Sequence, residues 1–157
     1  LWVGGSAPKA VERTARWSTG WQAGLESPEE VAPVIDAIKA ALPRYQRDID
    51  EDHYGAGFAF RFGDADEPIV QRNDNMLSKR LNKDPGRLRA VGGAEEIMAL
   101  LADFRAAGVH KFVLRPIATD SRDVMNQTQR LIDEVLPEVK ALNPATAETE
   151  RAAARGG

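Results

Sequence analysis

Leu1-Trp2-Val3-Gly4-Gly5-Ser6-Ala7-Pro8-Lys9 is an apolar run that halts at two glycines and passes into a helix start. Ser6 is placed to act as N-cap, and Pro8 suits a first helical turn because its missing N–H needs no partner there. A strand that feeds a helix through Gly-Gly-Ser leaves backbone N–H groups at the positive end of the helix dipole, with no Cβ at Gly4 or Gly5 to cover them. Those are the requirements of a phosphate site. Lys9, one turn further on, adds a positive charge. A Gly-Gly turn between strand and helix also has a purely structural use, so the phosphate reading has to draw on the rest of the chain.

The 157 residues are 43% hydrophobic, enough for one compact domain, and no run approaches the roughly 18–20 apolar residues of a membrane span. There is no cysteine, which excludes disulfides and thiolate chemistry, and no signal-peptide pattern, so a cytoplasmic location is expected. Lys and Arg number 21 against 24 Asp and Glu, interleaved along the chain, for a net charge of -3. Such a balance gives no electrostatic case for nucleic acid. The chain opens without Met and already inside an apolar strand. It reads as if something had been cut away in front of it.

Outward from the opening stretch, strand and helix patterns alternate. Ala7 to about Arg16 reads as a helix with a small buried face, and Trp21 to Leu25 as a short strand. Ser27-Pro28-Glu29-Glu30 combines a cap, an N1 proline and an acidic first turn, and the helix it starts carries Val31, Val34, Ile35, Ile38 and Leu42 to Pro43. From His53 to Phe62 the chain alternates: Tyr54, Ala56, Phe58, Phe60 and Phe62 share one face, and Gly55, Gly57, Ala59 and Arg61 the other. The small-residue face admits either a close ligand or bulky neighbours. Residues 63–90 read as one helix, with Ile69, Val70, Met76, Leu77 and Leu81 as its stripe, plus an irregular excursion. Val91 to Glu96 opens a further helix bearing Ile97, Leu100, Leu101 and Phe104, which ends at Gly108. Val109 to Leu114 reads as a buried strand ended by Arg115-Pro116. Asp120 caps a last helix with Val124, Leu131, Ile132, Val135 and Leu136 inward, stopped by Pro137, and residues 143–157 are expected to fray.

Four alternations with short connections, in strands too apolar for a wet face, predict a parallel α/β architecture. A doubly wound sheet and part of a (β/α)8 barrel both satisfy the pattern. In either, ligands sit at the carboxyl ends of the strands, where Gly4-Gly5-Ser6, Gly24, Arg61-Phe62-Gly63 and Arg115 would gather. A Rossmann-type dinucleotide site is disfavoured, because the third glycine of Gly-x-Gly-x-x-Gly and an acidic end to the second strand are both missing.

The opening Leu-Trp-Val-Gly-Gly-Ser, Gly20-Trp21, Ser27-Pro28-Glu29-Glu30, Val91-Gly92-Gly93-Ala94-Glu95-Glu96, Ala106-Ala107-Gly108-Val109, Phe112-Val113-Leu114 and Glu134-Val135-Leu136-Pro137 occur in an order and spacing similar to the carboxyl-terminal half of the luciferase-like flavin-dependent monooxygenases. The resemblance covers the chain to about Leu142. It implies a (β/α)8 TIM-type barrel of which residues 1–142 supply about four β/α units, strands five to eight, with an insertion at about 63–90. It also implies FMN or the related deazaflavin coenzyme across the barrel mouth, a small organic substrate, and a homodimer. The family's phosphate-holding turn corresponds to Gly4, Gly5 and Ser6, with Lys9 a looser candidate, and Ala23 and Gly24 correspond to positions near the isoalloxazine ring. The first four strands of such an enzyme lie outside this sequence. By the resemblance, the chain alone is then inactive and the catalytic residues lie in the missing amino-terminal half. The competing reading is a non-catalytic half-barrel that binds a phosphorylated small molecule or dimerises over its open edges.

Among other candidates, His53 and His110 fall at the amino ends of strands, the stability side of a barrel rather than its chemical side. Glu29-Glu30 and Glu95-Glu96 sit where helix first turns favour negative charge. No Cys, clustered His or acid-rich loop at ligand spacing marks a metal site. Trp2, Trp17 and Trp21 read as core or interface. Arg115 stands apart: a charge at the end of an apolar strand has to reach water or pair with an anion, which makes it a candidate substrate or anion contact.

Overall fold

The computed structural model describes residues 1–82 and 84–141. Five strands, β1 (Trp2–Gly4), β2 (Gly20–Gln22), β3 (Tyr54–Phe62), β4 (Arg89–Gly92) and β5 (Lys111–Pro116), alternate with α1 (Pro8–Trp17), α2 (Pro28–Ala41), α3 (Pro68–Leu81), α4 (Ala94–Ala106) and α5 (Ser121–Arg130). A π-helical turn over Leu131–Val135 leads into α6 (Leu136–Ala141). Every strand pairing is parallel. The expected tail over residues 143–157 lies outside the described residues.

The centre of the sheet is β3. One edge is shared by β2, through Tyr54 and Gly55, and by β4, from Ala59 to Phe62, while β5 runs along the other edge from Gly55 to Phe60. The side-by-side order is therefore β1-β2-β3-β5, with β4 filling the upper part of an edge that three-residue β2 leaves open. Four strands were expected and five are present among the described residues. Within 63–90 the expected helix is α3, but the stretch read as irregular ends in β4, whose four residues carry too little apolar pattern to be recognised without their partner strand.

The helices α1, α2 and α4 cover one face of this sheet. Tyr54, Ala56, Phe58, Phe60 and Phe62 are buried against Val31, Val34, Ile35 and Ile38 of α2 and Ile97, Leu100, Leu101 and Phe104 of α4. Phe58 stacks on Phe104 with ring centroids 5.9 Å apart, and Phe112 meets Phe104 edge-on at 6.4 Å. Burying a side chain of this size contributes roughly 1.5–3 kcal/mol, and the five odd members of one nine-residue strand make this contact the main source of cohesion.

The opposite face is largely bare. Along β5 exposed and half-buried residues alternate, with Val113 56% exposed, and β1 also presents an exposed Trp2 and Gly4. The expectation of strands without a wet face is thus corrected: the helices form a single layer over most of the sheet. At the amino end of the bare face Trp2 lies against Gly20 and Gly55, where a Cβ on Gly20 would come 2.5 Å from the indole. At its carboxyl end α3 crosses over, burying Val70 with Ala59 and Ile117.

Local chemistry explains most boundaries. Ser27 and Glu30 form a capping box at α2, with the Ser27 N–H donating to Glu30 Oε2 at 2.8 Å. Asp120 Oδ1 accepts from the Asp123 N–H at 2.9 Å and starts α5, and Gly108 turns the chain after α4 at φ 91°. Three expectations fail. The N-cap of α1 is Ala7 and makes no side-chain cap bond, so Ser6 does not cap. Val124, Ile132 and Leu136 are exposed rather than inward, because α5 and α6 flank an edge strand with no further neighbour to pack against. Pro137 does not end the helix: the π turn precedes it, and a proline in the first turn of α6 removes no bond that segment requires.

In place of the expected apolar contacts, α5 buries Gln127. Its side-chain amide accepts from the Phe62 N–H at 2.8 Å and donates to the Phe62 carbonyl at 3.2 Å, continuing the pairing of β3 by one residue. Gln127→Ala leaves both backbone groups unsatisfied and is expected to cost about 1–3 kcal/mol, measured as a lower urea midpoint with an unchanged slope.

Candidate functional site

Because all strands are parallel, the turn after β1, the end of β2 and the end of β5 lie at the same, carboxyl end of the sheet. Gly4 pairs with Gln22, Gln22 with Gly55, and Gly55 with Lys111. Arg115, four residues past Lys111, therefore stands about 13 Å further along the strand direction, beyond the level of the turn but at the same end.

The turn is open. Gly4 and Ser6 are exposed, and Gly5 adopts φ 99°, a conformation that favours glycine, where an added Cβ would come 3.2 Å from the Ala10 Cβ. The indole Nε1 of fully buried Trp21 donates to the Gly5 carbonyl at 2.9 Å and fixes the orientation of that peptide. In the first turn of α1 the Ala10 and Val11 N–H groups return to the Ala7 carbonyl. Those of Ser6, Ala7 and Lys9 have no partner among the described residues, so the positive end of the helix faces solvent.

Beside this turn, Gln22, Ala23, Gly24, Gly57, Val113 and Arg115 line a cleft of about 240 Å³. It brings together two residues singled out from the sequence, Gly24 and Arg115. A Cβ on Gly57 would collide with the Val113 carbonyl, so glycine is what lets β5 approach β3 here. Arg115 is exposed and unpaired among the described residues, whereas the Gly24 N–H donates to Glu26 Oε2 at 2.6 Å. Lys9 is not part of the cleft. It lies with Glu12, Arg13, Arg16 and Trp17 along the outer surface of α1.

Arg61, which the strand order puts at this end of the sheet, takes one partner from the next segment, Glu67, and two from far along the chain, Ile117 and Asp123. Its Nε and Nη2 donate to Glu67 Oε2 at 2.9 and 2.6 Å, and Nη1 donates to the Ile117 carbonyl at 2.8 Å and to Asp123 Oδ2 at 2.9 Å. The Glu67 carboxylate also accepts from the Asp64 N–H, and Asp123 from the Thr119 N–H and hydroxyl. One nearly buried guanidinium thus ties the end of β3 to the start of α3 and to the β5–α5 connection. The Arg61 side chain holds the Glu67 carboxyl below its usual range, and at Asp123 the Thr119 N–H does most to the same effect, with Arg61 adding to it. The only legible hint in the sequence is an arginine on the small-residue face of an otherwise apolar strand.

The remaining candidates serve the scaffold. His53 Nδ1 lies 2.8 Å from the Thr19 carbonyl and His110 donates its N–H to the Tyr54 carbonyl, both at the amino end. Asp50, Asp52 and His53 come near enough to hold an ion, but all lie at that end, and Asp52 is engaged by Lys111 at 3.2 Å. Glu29 pairs with Arg87, which pulls its carboxyl down to about 2, and Arg87 also reaches Asp103, joining α2 to α4. Glu96 accepts from the Gly93 N–H at 2.6 Å. Trp21 is core, while Trp17 is exposed under Arg16.

No protein-family profile and no curated protein matches the sequence. Solved structures do match. The chain is similar to an F420-dependent secondary alcohol dehydrogenase in complex with an F420-acetone adduct (TM-score 0.66, 14% identity, covering 86% of this chain and 47% of that one). It is also similar to the coenzyme F420 dependent tetrahydromethanopterin reductase from Methanopyrus kandleri (TM-score 0.60, 15% identity, 87% and 50%). Flavoprotein 390 matches over 97% of this chain and 68% of its own, with a TM-score of 0.64 and 13% identity. The resemblance to luciferase-like enzymes read from the sequence is therefore met at the level of fold, an α/β structure with a parallel sheet. The chain spans about half the length of the first two.

Glu67 and Asp123 both titrate below their ordinary values, so the stability they confer is present above the normal carboxylate range and is lost as pH falls through the depressed values. Protection of the Asp64 and Thr119 amides against hydrogen exchange, taken relative to the unfolded chain at the same pH, should fall as pH drops below about 4, before that of the α2–α4 core. In Asp123→Asn that acid-dependent loss of protection at Thr119 should shrink.

Proposed function

We propose that this chain forms the carboxyl-terminal half of a luciferase-like (β/α)8 barrel, with residues 63–90 as an insertion, and serves a flavin-dependent oxidoreductase or monooxygenase. The observation that carries the reading is an open glycine turn with free N–H groups at the carboxyl end of a parallel sheet whose inner face is bare. The single helical layer and the unpaired outer edges of β1 and β5 among the described residues support a sheet that continues into a further half. That half completes the site, and without it the chain is inactive.

The residues present fit FMN or the deazaflavin coenzyme. Gly4, Gly5 and Ser6 offer amides and a hydroxyl to the terminal phosphate at the helix dipole, and Gly5 leaves no side chain in the way. The cleft beside it, with Gly24 and Gly57 as floor and wall, accepts a flat ring at close approach, and Arg115 is free to meet an anionic group of cofactor or substrate. When bound, the flavin supplies the redox chemistry toward a small organic substrate. The task of this chain is to bind and orient it. Lys9 adds at most long-range positive charge from the outer surface of α1.

A second reading keeps the same turn but makes the chain a non-catalytic module that self-associates, favoured by exposed Trp2 and Val113 on the bare face. An absorption spectrum of the full-length protein separates the two, since only the first requires bound flavin. For the anchor itself, Ser6→Asp adds negative charge at an exposed, unstrained position. It should weaken FMN binding about 10–100-fold, equivalent to about 1.4–2.7 kcal/mol, and leave riboflavin, which has no phosphate, unaffected. Equal effects on both ligands, or none on FMN, would overturn the phosphate assignment.

A further inference from the structure

A second cleft, separate from the proposed cofactor turn, opens between α3 and the chain leaving β5. It has a volume of about 280 Å³ and is lined by Ile69, Arg72, Asn73 and Met76 on one side and Pro116, Ile117 and Ala118 on the other. Its size is just below the roughly 300–1,000 Å³ of small-molecule sites. Apolar side chains make up most of the wall, with polar groups confined to one helical turn.

Two features distinguish it from an accidental groove. First, its walls are braced against each other. The guanidinium of Arg61 donates to the carbonyl of Ile117, in one wall, and to the carboxylate of Glu67, the N-cap residue of the helix that forms the other. The gap is therefore set by a nearly buried side chain below it and exists before anything enters. Second, Arg72 has no ion pair or hydrogen bond among the described residues, although Arg61 and Arg89, on the neighbouring strands, are engaged: Arg61 with Glu67 and Asp123, and Arg89 with Asp74 at 2.7 Å. The nearest acid on its own helix is thus already committed. An unpaired guanidinium over an apolar slot favours a ligand with an apolar body and a planar anionic head, because a carboxylate accepts two parallel N–H bonds from arginine.

We infer that the α3 cleft is a binding site for a small apolar carboxylate, whose chain lies along Ile69, Met76, Pro116 and Ile117 and whose head group pairs with Arg72. The site adjoins the mouth of the sheet, since Pro116 follows Arg115 directly, but its assignment does not rest on the flavin reading.

The test is a calorimetric titration of the full-length protein with octanoate, octanol and octylamine. Octanoate should bind at least 10-fold more tightly than either of the others. Arg72→Gln, at an exposed position remote from the glycine turn, should remove that preference while retaining the weak affinity for octanol, and Arg72→Lys should restore part of it. Met76→Trp should fill the slot and abolish binding of both octanoate and octanol. FMN affinity, measured on the same variants, should stay unchanged, so failure of the cofactor reading and failure of this one are separately visible. No preference for octanoate in the parent protein, a preference that survives Arg72→Gln, or octanoate binding unaffected by Met76→Trp would each overturn the inference.

Discussion

The structure depends on the contact between the aromatic face of β3 and the apolar stripes of α2 and α4. Tyr54, Phe58, Phe60 and Phe62 project to one side of a single strand, and period-two geometry sends Gly55, Gly57, Ala59 and Arg61 to the other. One strand thereby divides the molecule into a packed side and an open side. The packed side holds the helices. On the open side lie the glycines, the free arginines and both clefts.

Glycine acts differently at three levels of that open side. At the amino end Gly20 and Gly55 make room for the Trp2 indole, a packing role. Midway, Gly57 allows the β5 backbone to come close and leaves a shallow cleft. At the carboxyl end Gly5 takes a left-handed conformation that the buried Trp21 indole holds in place, so that the first amides of α1 point outward. Only this last use aims polar backbone at solvent, and it is the one that fits an anion.

At the carboxyl end a polar network replaces apolar packing. Arg61, Glu67, Asp123, Thr119 and Gln127 join the end of β3 and the start of α3 to the β5–α5 connection and α5, up to 65 positions away in sequence, and each buried donor or acceptor among them has a partner. A network satisfied in this way holds its members in register. Here it sets the position of α3 over the sheet and hence the width of the gap beside Ile117. The arrangement gives rigid walls to a surface that would otherwise be three independent loops.

The sequence by itself determined the alternation of strand and helix, the faces of β3, the caps at Ser27 and Asp120, and the open glycine turn after β1. Each of these is encoded by residues within a few positions of one another, where periodicity and hydrogen-bonding side chains act directly. That Gly24 and Arg115 lie at one end of the sheet was also legible, since parallel strands carry their ends to one side, and both line one cleft. Tertiary structure alone decided the rest. The short strand β4 exists because β2 leaves part of the β3 edge unpaired, which no local pattern records. Lys9 turned away from the cleft because its helix presents that position outward. Val124, Ile132 and Leu136 stayed exposed because an apolar stripe is buried only where another element meets it. The brace around Arg61 joins residues up to 62 positions apart, and a charge on a strand reveals its partners only once the chain has folded around it.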